Sequence, residues 1–293
     1  RLSRTRHKLR RLTENWPKIE GELKGGQLST KHIVALVDVL FRQHALLHCI
    51  VTSVGADDGP GIEAHKDQQC ELMTRNLTSA HHPEFVAQIW ALRRTLEKMP
   101  LQLYTQFVSQ THLLCAVIED VTNYYSQRQP PELGLFEWFV DAKDKNVTAQ
   151  EEWWRTTLGP MIQSRSHRQP FGRVHDDKAF NYTYFDKAYD AEVDNPYPTG
   201  DSRVTGTDIS KLVTKHLSFV DSKSDILVQS ADVLVRSIRR VLTENDQYEP
   251  TLIDALGRLQ LIRKRDGVLQ SMQFILLAGT GRSSGHIYEV SQR

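Results

Sequence analysis

The sequence predicts an α/β fold, and three observations carry the prediction. Short apolar, β-branched runs within 46–54, 133–140, 209–220 and 272–278 read as strands. Between them apolar residues recur at helical spacing, most clearly over 33–41, 85–99 and 103–124. The chain has 293 residues, 39% hydrophobic and 25% charged, which is enough to bury a sizeable core and ordinary for a globular protein.

Taken in order, residues 1–16 predict a basic helix that ends near Trp16-Pro17. Ile19 to Gly26 is a glycine-rich junction. Ser29 or Thr30 can cap a helix through about Gln43, on the stripe Ile33, Leu36, Val37, Leu40 and Phe41. Leu46 to Val54 predicts a strand, and Gly55 to Gly61 a loop. Phe85, Ile89, Leu92, Leu96 and Met99 form one helical stripe. Leu103, Phe107, Leu114, Val117, Val121 and Tyr124 form the next, with Pro100 between them. An antiparallel helical hairpin is expected there. Leu133 to Val140 predicts a buried strand that stops at Asp141, and 149–165 a helix holding Trp153 and Trp154. Phe171 to Asp201, rich in Tyr, Asp and Pro, predicts a long loop or lid. A strand within 209–220 leads through a Ser/Lys/Asp turn into a helix over the following residues. A helix at 251–262 and a strand from Met272 to Ala278 close the chain.

A net charge of +1 gives no global signature of nucleic-acid binding, so such binding needs a local patch. Arg1, Arg4, Arg6, Lys8, Arg10 and Arg11 make one basic run, for which a solvated helix face is the plain reading. Cys49, Cys70 and Cys115 are odd in number and widely spaced, which argues against a disulfide framework and for a reducing, cytoplasmic setting. Three triplets, at Asn76, Asn146 and Asn181, match the glycosylation pattern by composition alone. No apolar run approaches the roughly 18 residues of a membrane span, and no signal peptide is visible.

The helix after Phe219 is the most informative segment. Gln229, Asp232, Arg236 and Arg239 fall, at about 100° per residue, in a polar strip roughly 80° wide. Val228, Ala231, Val235, Ile238 and Leu242 are expected to fill the apolar face beside it. An acid at the edge of a core face is costly to bury unless it is paired or binds a metal, which singles out Asp232. Two further acids stand out by context. Glu22 lies in Gly-Glu-Leu-Lys-Gly before a helix. Asp141 lies at the carboxyl end of an apolar strand, where open α/β sheets place their ligands. Carboxylate oxygens suit hard cations such as Mg²⁺ or Mn²⁺. Two such ions about 3.5–4 Å apart can activate water and stabilise the leaving oxygen of a phosphodiester.

Gly21-Glu-Leu-Lys-Gly25, Phe136-Glu-Trp-Phe-Val-Asp141 and Asp221-Ser-Lys-Ser-Asp-Ile-Leu-Val-Gln-Ser-Ala-Asp232 resemble, in order and separation, motifs of the family named domain of unknown function 3800. That family is widespread in bacteria, archaea and phages, and its fold resembles ribonuclease H. The resemblance implies a ribonuclease H-like mixed sheet with flanking helices, one domain over 1–293, and a helical-hairpin insertion at about 60–128. It implies Glu22, Asp141 and Asp232 as catalytic acids holding Mg²⁺ or Mn²⁺. Lys24 would be a phosphate contact or an ion-pair partner, with Arg236 and Arg239 neutralising phosphate. Ser222 and Gln229 would support the loop and the last acid. The family's opening strand, which carries Asp-Glu-Ser, is not in this sequence, and Ser230 stands where an apolar residue is commoner. The first carboxylate is therefore expected upstream of Arg1. Metal-dependent cleavage of DNA or RNA is the activity implied, with a role in phage or mobile-element conflict suggested by the resemblance. The alternative is a non-catalytic nucleic-acid- or protein-binding module that keeps the fold.

Plain readings stay open at each position. Asp232 could pair with Arg236 one turn on. Asp141 could cap the turn into Lys143-Asp144, Glu22 could pair with Lys24 or cap the following helix, and Asp221 could be a turn residue. Arg236, Arg239 and Arg240 could hold a nucleic-acid backbone or complement the helix C-terminus. His81-His82-Pro-Glu84 reads as a loop or cap, and Gly279 to Gly285 as a hairpin turn. His175-Asp176-Asp177 could join a metal site from the long loop.

Overall fold

The computed structural model describes residues 2–52, 58–79, 81–142, 144, 146–166, 171, 182, 185–188, 205–243, 249–261, 263–265, 268–270, 273–275 and 277. Helices α1 (Leu2–Leu12) and α2 (Thr30–Arg42) precede strand β1 (Ile50–Thr52). Helices α3 (Gly59–Thr74), α4 (Pro83–Glu97) and α5 (Leu101–Arg128) follow, then strand β2 (Trp138–Asp141). Helix α6 (Ala149–Trp153) runs through a π-helical turn at Trp154–Leu158 into α7 (Gly159–Ser166). Strands β3 (Asp186–Ala188) and β4 (Thr205–Thr207), helix α8 (Ile209–Thr214) and strand β5 (Leu217–Val220) lead to helices α9 (Ile226–Thr243) and α10 (Pro250–Gly257). Strands β6 (Arg263–Arg265), β7 (Val268–Gln270) and β8 (Gln273–Ile275) come last.

The protein is α/β, with helices dominant. Among the described residues the strands pair two by two: β2 with β5 and β1 with β8 in parallel, β3 with β4 and β6 with β7 antiparallel. The chain groups into two compact units. One holds Arg1–His48 and Val117–Leu261, the other Cys49–Ala116 and Ile262–Arg293.

In the first unit α1, α2, α9 and α10 pack together, and α9 also packs on β2. Their contacts bury Leu9, Ile33, Leu36, Val37, Val233, Ile238 and Leu252. Each such side chain removed from water contributes about 1.5–3 kcal/mol. Ser29 caps α2 with His32 in a capping box, which decides between the two expected caps. The buried side of α9 differs from the expected one. It carries Ile226, Val228, Val233, Leu234 and Ile238, together with Gln229, Ser230 and Ser237, while Val235 is 54% exposed. The two serines can be buried because each returns its hydroxyl to its own helix, Ser230 to Ile226 O at 2.6 Å and Ser237 to Val233 O at 2.7 Å.

In the second unit α3 packs against α4, with Arg93 Nη1 donating to Thr74 Oγ1 at 2.5 Å. The sequence gives little sign of α3, because Lys66 occupies a buried position on it beside Ile62 and Cys70. Lys66 Nζ donates to Met99 O at 3.4 Å. The loop expected through Gly61 ends earlier, since Pro60 sits in the first turn of α3 and its fixed φ suits that place. Among the described residues the strand expected over 46–54 is confined to β1, with 53 and 54 outside them. That expected over 133–140 begins at Trp138, because Pro130-Pro131 start a 3₁₀ turn that runs to Gly134 and buries Leu133. Most of the long loop expected from Phe171 to Asp201, with His175-Asp176-Asp177, lies outside the described residues, as does Gly279 to Gly285.

Candidate functional site

The site is built from three segments far apart in the chain, all in the first unit. The first is a tight turn. Ile19 and Glu22 exchange both backbone hydrogen bonds at 2.9 Å, with Glu20 (φ 48°) and Gly21 (φ 86°) between them. Two consecutive positive φ angles are what a two-residue hairpin turn needs, and glycine takes the second without steric penalty. The turn points Glu22 inward, where it is buried, and Leu23 behind it is 1% exposed.

The second segment is β2, whose last residue is Asp141. Its parallel register sets Asp141 beside Val220, and the Ala142 amide donates to Val220 O at 3.0 Å. The carboxyl ends of β2 and β5 therefore open onto the same side, as the crevice argument for parallel sheets requires. Asp141 is half-buried there.

The third segment runs from β5 into α9. Asp221 makes an Asx turn, its Oδ1 accepting from the Lys223 amide at 2.9 Å, so the turn-residue reading holds for it. Ser222 donates its hydroxyl to Glu22 Oε1. Gln229, buried in the first turns of α9, joins all of this. Its Oε1 accepts from the Leu23 amide at 3.1 Å, and its Nε2 donates to Ser222 O at 2.7 Å and Lys223 O at 3.3 Å. Ser222 and Gln229 thus tie the Glu22 segment to the turn before α9.

Lys24 forms an ion pair with Glu22 Oε2, which realises the pairing weighed for Glu22. Hydrogen bonds from Lys24 and Ser222 hold the Glu22 carboxyl below its ordinary range against desolvation, with the charges of Lys24 and Lys223 adding to them. The Lys24 ammonium is held above its ordinary range, first by its hydrogen bond to Glu22 and then by the charges of Glu22, Asp232 and Asp141. All three acids singled out by sequence act on this one cation.

Asp232 is exposed, which corrects the expectation of an acid at the edge of the core. The strip Gln229, Asp232, Arg236, Arg239 is buried only at Gln229, because the helix turns its serine-bearing side inward. Asp232 and Arg236 form no ion pair. Arg236 instead lays its stem over Gly25, so closely that a Cβ on Gly25 would lie 2.8 Å from Arg236 Cβ. Arg239 is exposed, whereas Arg240 bonds Glu249 and Thr30 and serves the fold.

Sequence reasoning missed Asp225 and Arg6. Asp225 begins α9, accepting from the Leu227 amide at 2.8 Å, and pairs with Arg6 Nη2 at 2.8 Å. Arg6 also lies over the Phe139 ring, 4.6 Å from its centroid, so α1, β2 and α9 meet at one guanidinium. Burial pushes the Asp225 carboxyl up. The Arg6 and Leu227 hydrogen bonds outweigh it and leave the group below its ordinary range.

A donor set of three carboxylates fits Mg²⁺ or Mn²⁺ in its chemistry. In placement, no group of three or more His, Cys, Asp and Glu among the described residues stands ready to hold a metal, and both oxygens of Glu22 are engaged by Lys24 and Ser222. His81 bonds Thr78 and His82 precedes the first turn of α4, as expected of a loop and cap. Trp153 and Trp154 are buried packing residues. Cys49, Cys70 and Cys115 form no disulfide, Cys70 and Cys115 are buried, and burial pushes the Cys49 thiol up to about 11. Among the described residues no helix is long and apolar enough to cross a membrane. Comparison with known proteins finds no matching family model, no matching curated protein and no matching solved structure.

Proposed function

We propose that this chain is a metal-dependent nuclease of ribonuclease H-like fold, similar to the domain of unknown function 3800 family, that hydrolyses phosphodiester bonds of DNA or RNA. The observation that carries the reading is the convergence on Lys24. Glu22, Asp141 and Asp232 come from three distant segments, and the charge of each acts on that one ammonium. Lys24 pairs with Glu22 directly and feels the negative charge of the other two acids, and negative potential of that kind favours a divalent ion.

In this reading Glu22, Asp141 and Asp232 would hold Mg²⁺ or Mn²⁺, with Glu22 the acid that Lys24 pairs with in its absence. Bound there, the ion would lower the pKa of a water and stabilise charge on the phosphoryl oxygens. The chain's own part is to aim its oxygens and cations. Ser222 keeps Glu22 oriented through Oε1, and Gln229 fixes the Ser222 turn against Leu23. Lys24, Arg236 and Arg239 would neutralise phosphate charge.

A second reading, a nucleic-acid- or protein-binding module without catalysis, is favoured by one observation: both Glu22 oxygens are already satisfied inside the protein. One experiment separates the two. Single- and double-stranded DNA and RNA are incubated with the protein and Mn²⁺, Mg²⁺ or EDTA, beside folded Asp141→Asn and Asp232→Asn variants. Metal-dependent cleavage that disappears in both variants supports the nuclease. Absence of cleavage on every substrate, or cleavage undiminished in the variants, hands the lead to the binding module.

A further inference from the structure

Beside the Glu22 turn lies an open cleft of about 590 Å³ that the candidate acids do not line. Its walls come from α1 (His7, Arg10 and Arg11), from Glu14 in the turn after it, from Lys18 and Gly21 ahead of Glu22, and from Lys223, Ser224 and Gln229 at the start of α9. Arg10, Arg11, Lys18 and Lys223 are cationic, with His7 beside them and Glu14 as the one acid of the lining. Arg6, one turn earlier on α1, is consumed by Asp225 and Phe139. Arg10, Arg11 and Lys18 are exposed and make no ion pair among the described residues, and Lys223 reaches only the exposed Glu20 at 3.4 Å. Like charges gathered around one concavity repel each other until an anion enters, and the low-dielectric walls focus their field into it.

We infer that this cleft binds the sugar–phosphate backbone of a single-stranded nucleic acid and leads the strand to the acids beside it. The inference takes its ligand class from the proposed function. Four cationic side chains recognise phosphates, and Gln229, which lines the cleft, also holds the Leu23 amide next to Glu22. The volume lies within the roughly 300–1,000 Å³ of ordinary ligand pockets, which suits a few nucleotides of one strand. Apart from His7 the lining has no aromatic ring on which to stack a base, so binding follows the backbone and tolerates sequence.

The test is anisotropy of a labelled single strand of about 12 nucleotides. It is measured in EDTA, so that cleavage plays no part, between about 50 and 200 mM salt. With three to four phosphate contacts the log–log salt slope should be about −2 to −3. Arg10→Glu/Arg11→Glu, and separately Lys223→Glu, should weaken binding about tenfold or more and flatten the slope by about 0.7 per lost contact. Arg4→Glu, an equal charge change on α1 outside the cleft, should change it less than about twofold, and Arg10→Lys/Arg11→Lys should retain most of it. Arg4→Glu weakening binding as much as Lys223→Glu would overturn the inference, as would binding insensitive to salt. Displacement of the strand by pyrophosphate as readily as by unlabelled strand of equal phosphate content would also overturn it, in favour of a small phosphorylated ligand. Binding with this pattern but without cleavage in metal sinks the nuclease alone. Cleavage with unchanged binding in the cleft variants sinks the cleft alone.

Discussion

Gln229 Oε1 accepts the backbone amide of Leu23 at 3.1 Å, across 206 residues of sequence. The same side chain donates to Ser222 O and Lys223 O, so one amide group holds the Glu22 segment and the α9 turn in register. Leu23 is 1% exposed, and water cannot replace the lost acceptor. Gln229→Ala should therefore destabilise the protein by about 2–3 kcal/mol, the cost of a buried donor left unmade plus two further bonds. Gln229→Glu keeps the acceptor but loses both donations, and should lie between the two. Urea unfolding with an unchanged m-value measures it. A loss under half a kcal/mol for Gln229→Ala would mean that the two segments are held together by other contacts.

Gly25 offers a steric test of the same junction. A Cβ there would meet Arg236 Cβ at 2.8 Å, Arg236 Cγ at 3.0 Å and the Val233 Cα at 3.4 Å. The nearest atoms are the root of the arginine side chain and helix backbone, neither of which swings away cheaply. Gly25→Ala should lower stability by about 1–3 kcal/mol through overpacking. Adding Arg236→Gly in the same chain should recover part of the loss, minus the penalty of glycine in a helix. If Gly25→Ala melts at the parent temperature, the close approach of this segment to α9 is wrong.

The Arg6–Asp225 pair predicts a pH signature. The Asp225 carboxyl is held below the ordinary 3.8, because the Arg6 hydrogen bond, the Leu227 amide and the Arg6 charge together outweigh its burial. A carboxyl with a depressed folded-state pKa stabilises the fold fully above its unfolded pKa. That contribution is lost as pH falls through the folded value, so the pair adds to acid sensitivity below about pH 4. Arg6→Ala leaves burial opposed mainly by the Leu227 amide, so the acid limb of stability should flatten between about pH 4 and pH 2. At neutral pH the variant should be about 2 kcal/mol less stable. This is below the roughly 3–5 kcal/mol of a fully buried pair, since the Arg6 side chain stays 23% exposed. Stability curves measured from pH 7 to acid decide it, and an acid limb parallel to that of the parent would refute the assignment.

The contrast between Gln229 and Arg6 shows what could be read before the structure. Gln229 lies on a polar strip that the 3.6-residue period makes visible, and its segment carries a motif, so the residue stands out from its neighbours. Arg6 finds Asp225 at a separation of 219 residues, and nothing local marks it out from Arg4 or Arg10. Asp232 was misplaced toward the core because hydropathy counts Ser230 and Ser237 as outward, whereas hydroxyls that bond their own helix can be buried. Helix α3 was hidden for a related reason: Lys66 interrupts its apolar stripe at a buried position. The α/β class was legible because strand-like runs and helical stripes each depend on local periodicity. The extents of β1 and β2 were not, since strand ends depend on partners β8 and β5 far along the chain.

Lys24 gives the test that bears most directly on the metal. Its ammonium pairs with Glu22 and feels Asp141 and Asp232, so it competes for the place a divalent ion would take. Its side chain is 44% exposed, and water screens the competition toward the bulk-like limit of about 1 kcal/mol per unit charge at 4 Å. Against a divalent ion that amounts to on the order of 1–2 kcal/mol, or roughly tenfold in affinity. Lys24→Ala should thus bind Mn²⁺ about tenfold more tightly by calorimetry, while Asp232→Asn in the same background should reverse the gain. On the proposed nuclease reading, cleavage by Lys24→Ala should nevertheless fall, because the side chain assigned there to neutralise phosphate is gone. Tighter metal binding with lower activity is a combination that a purely structural Glu22–Lys24 pair does not produce. Unchanged Mn²⁺ affinity in Lys24→Ala would assign that pair to the fold and leave the three acids without a metal to share.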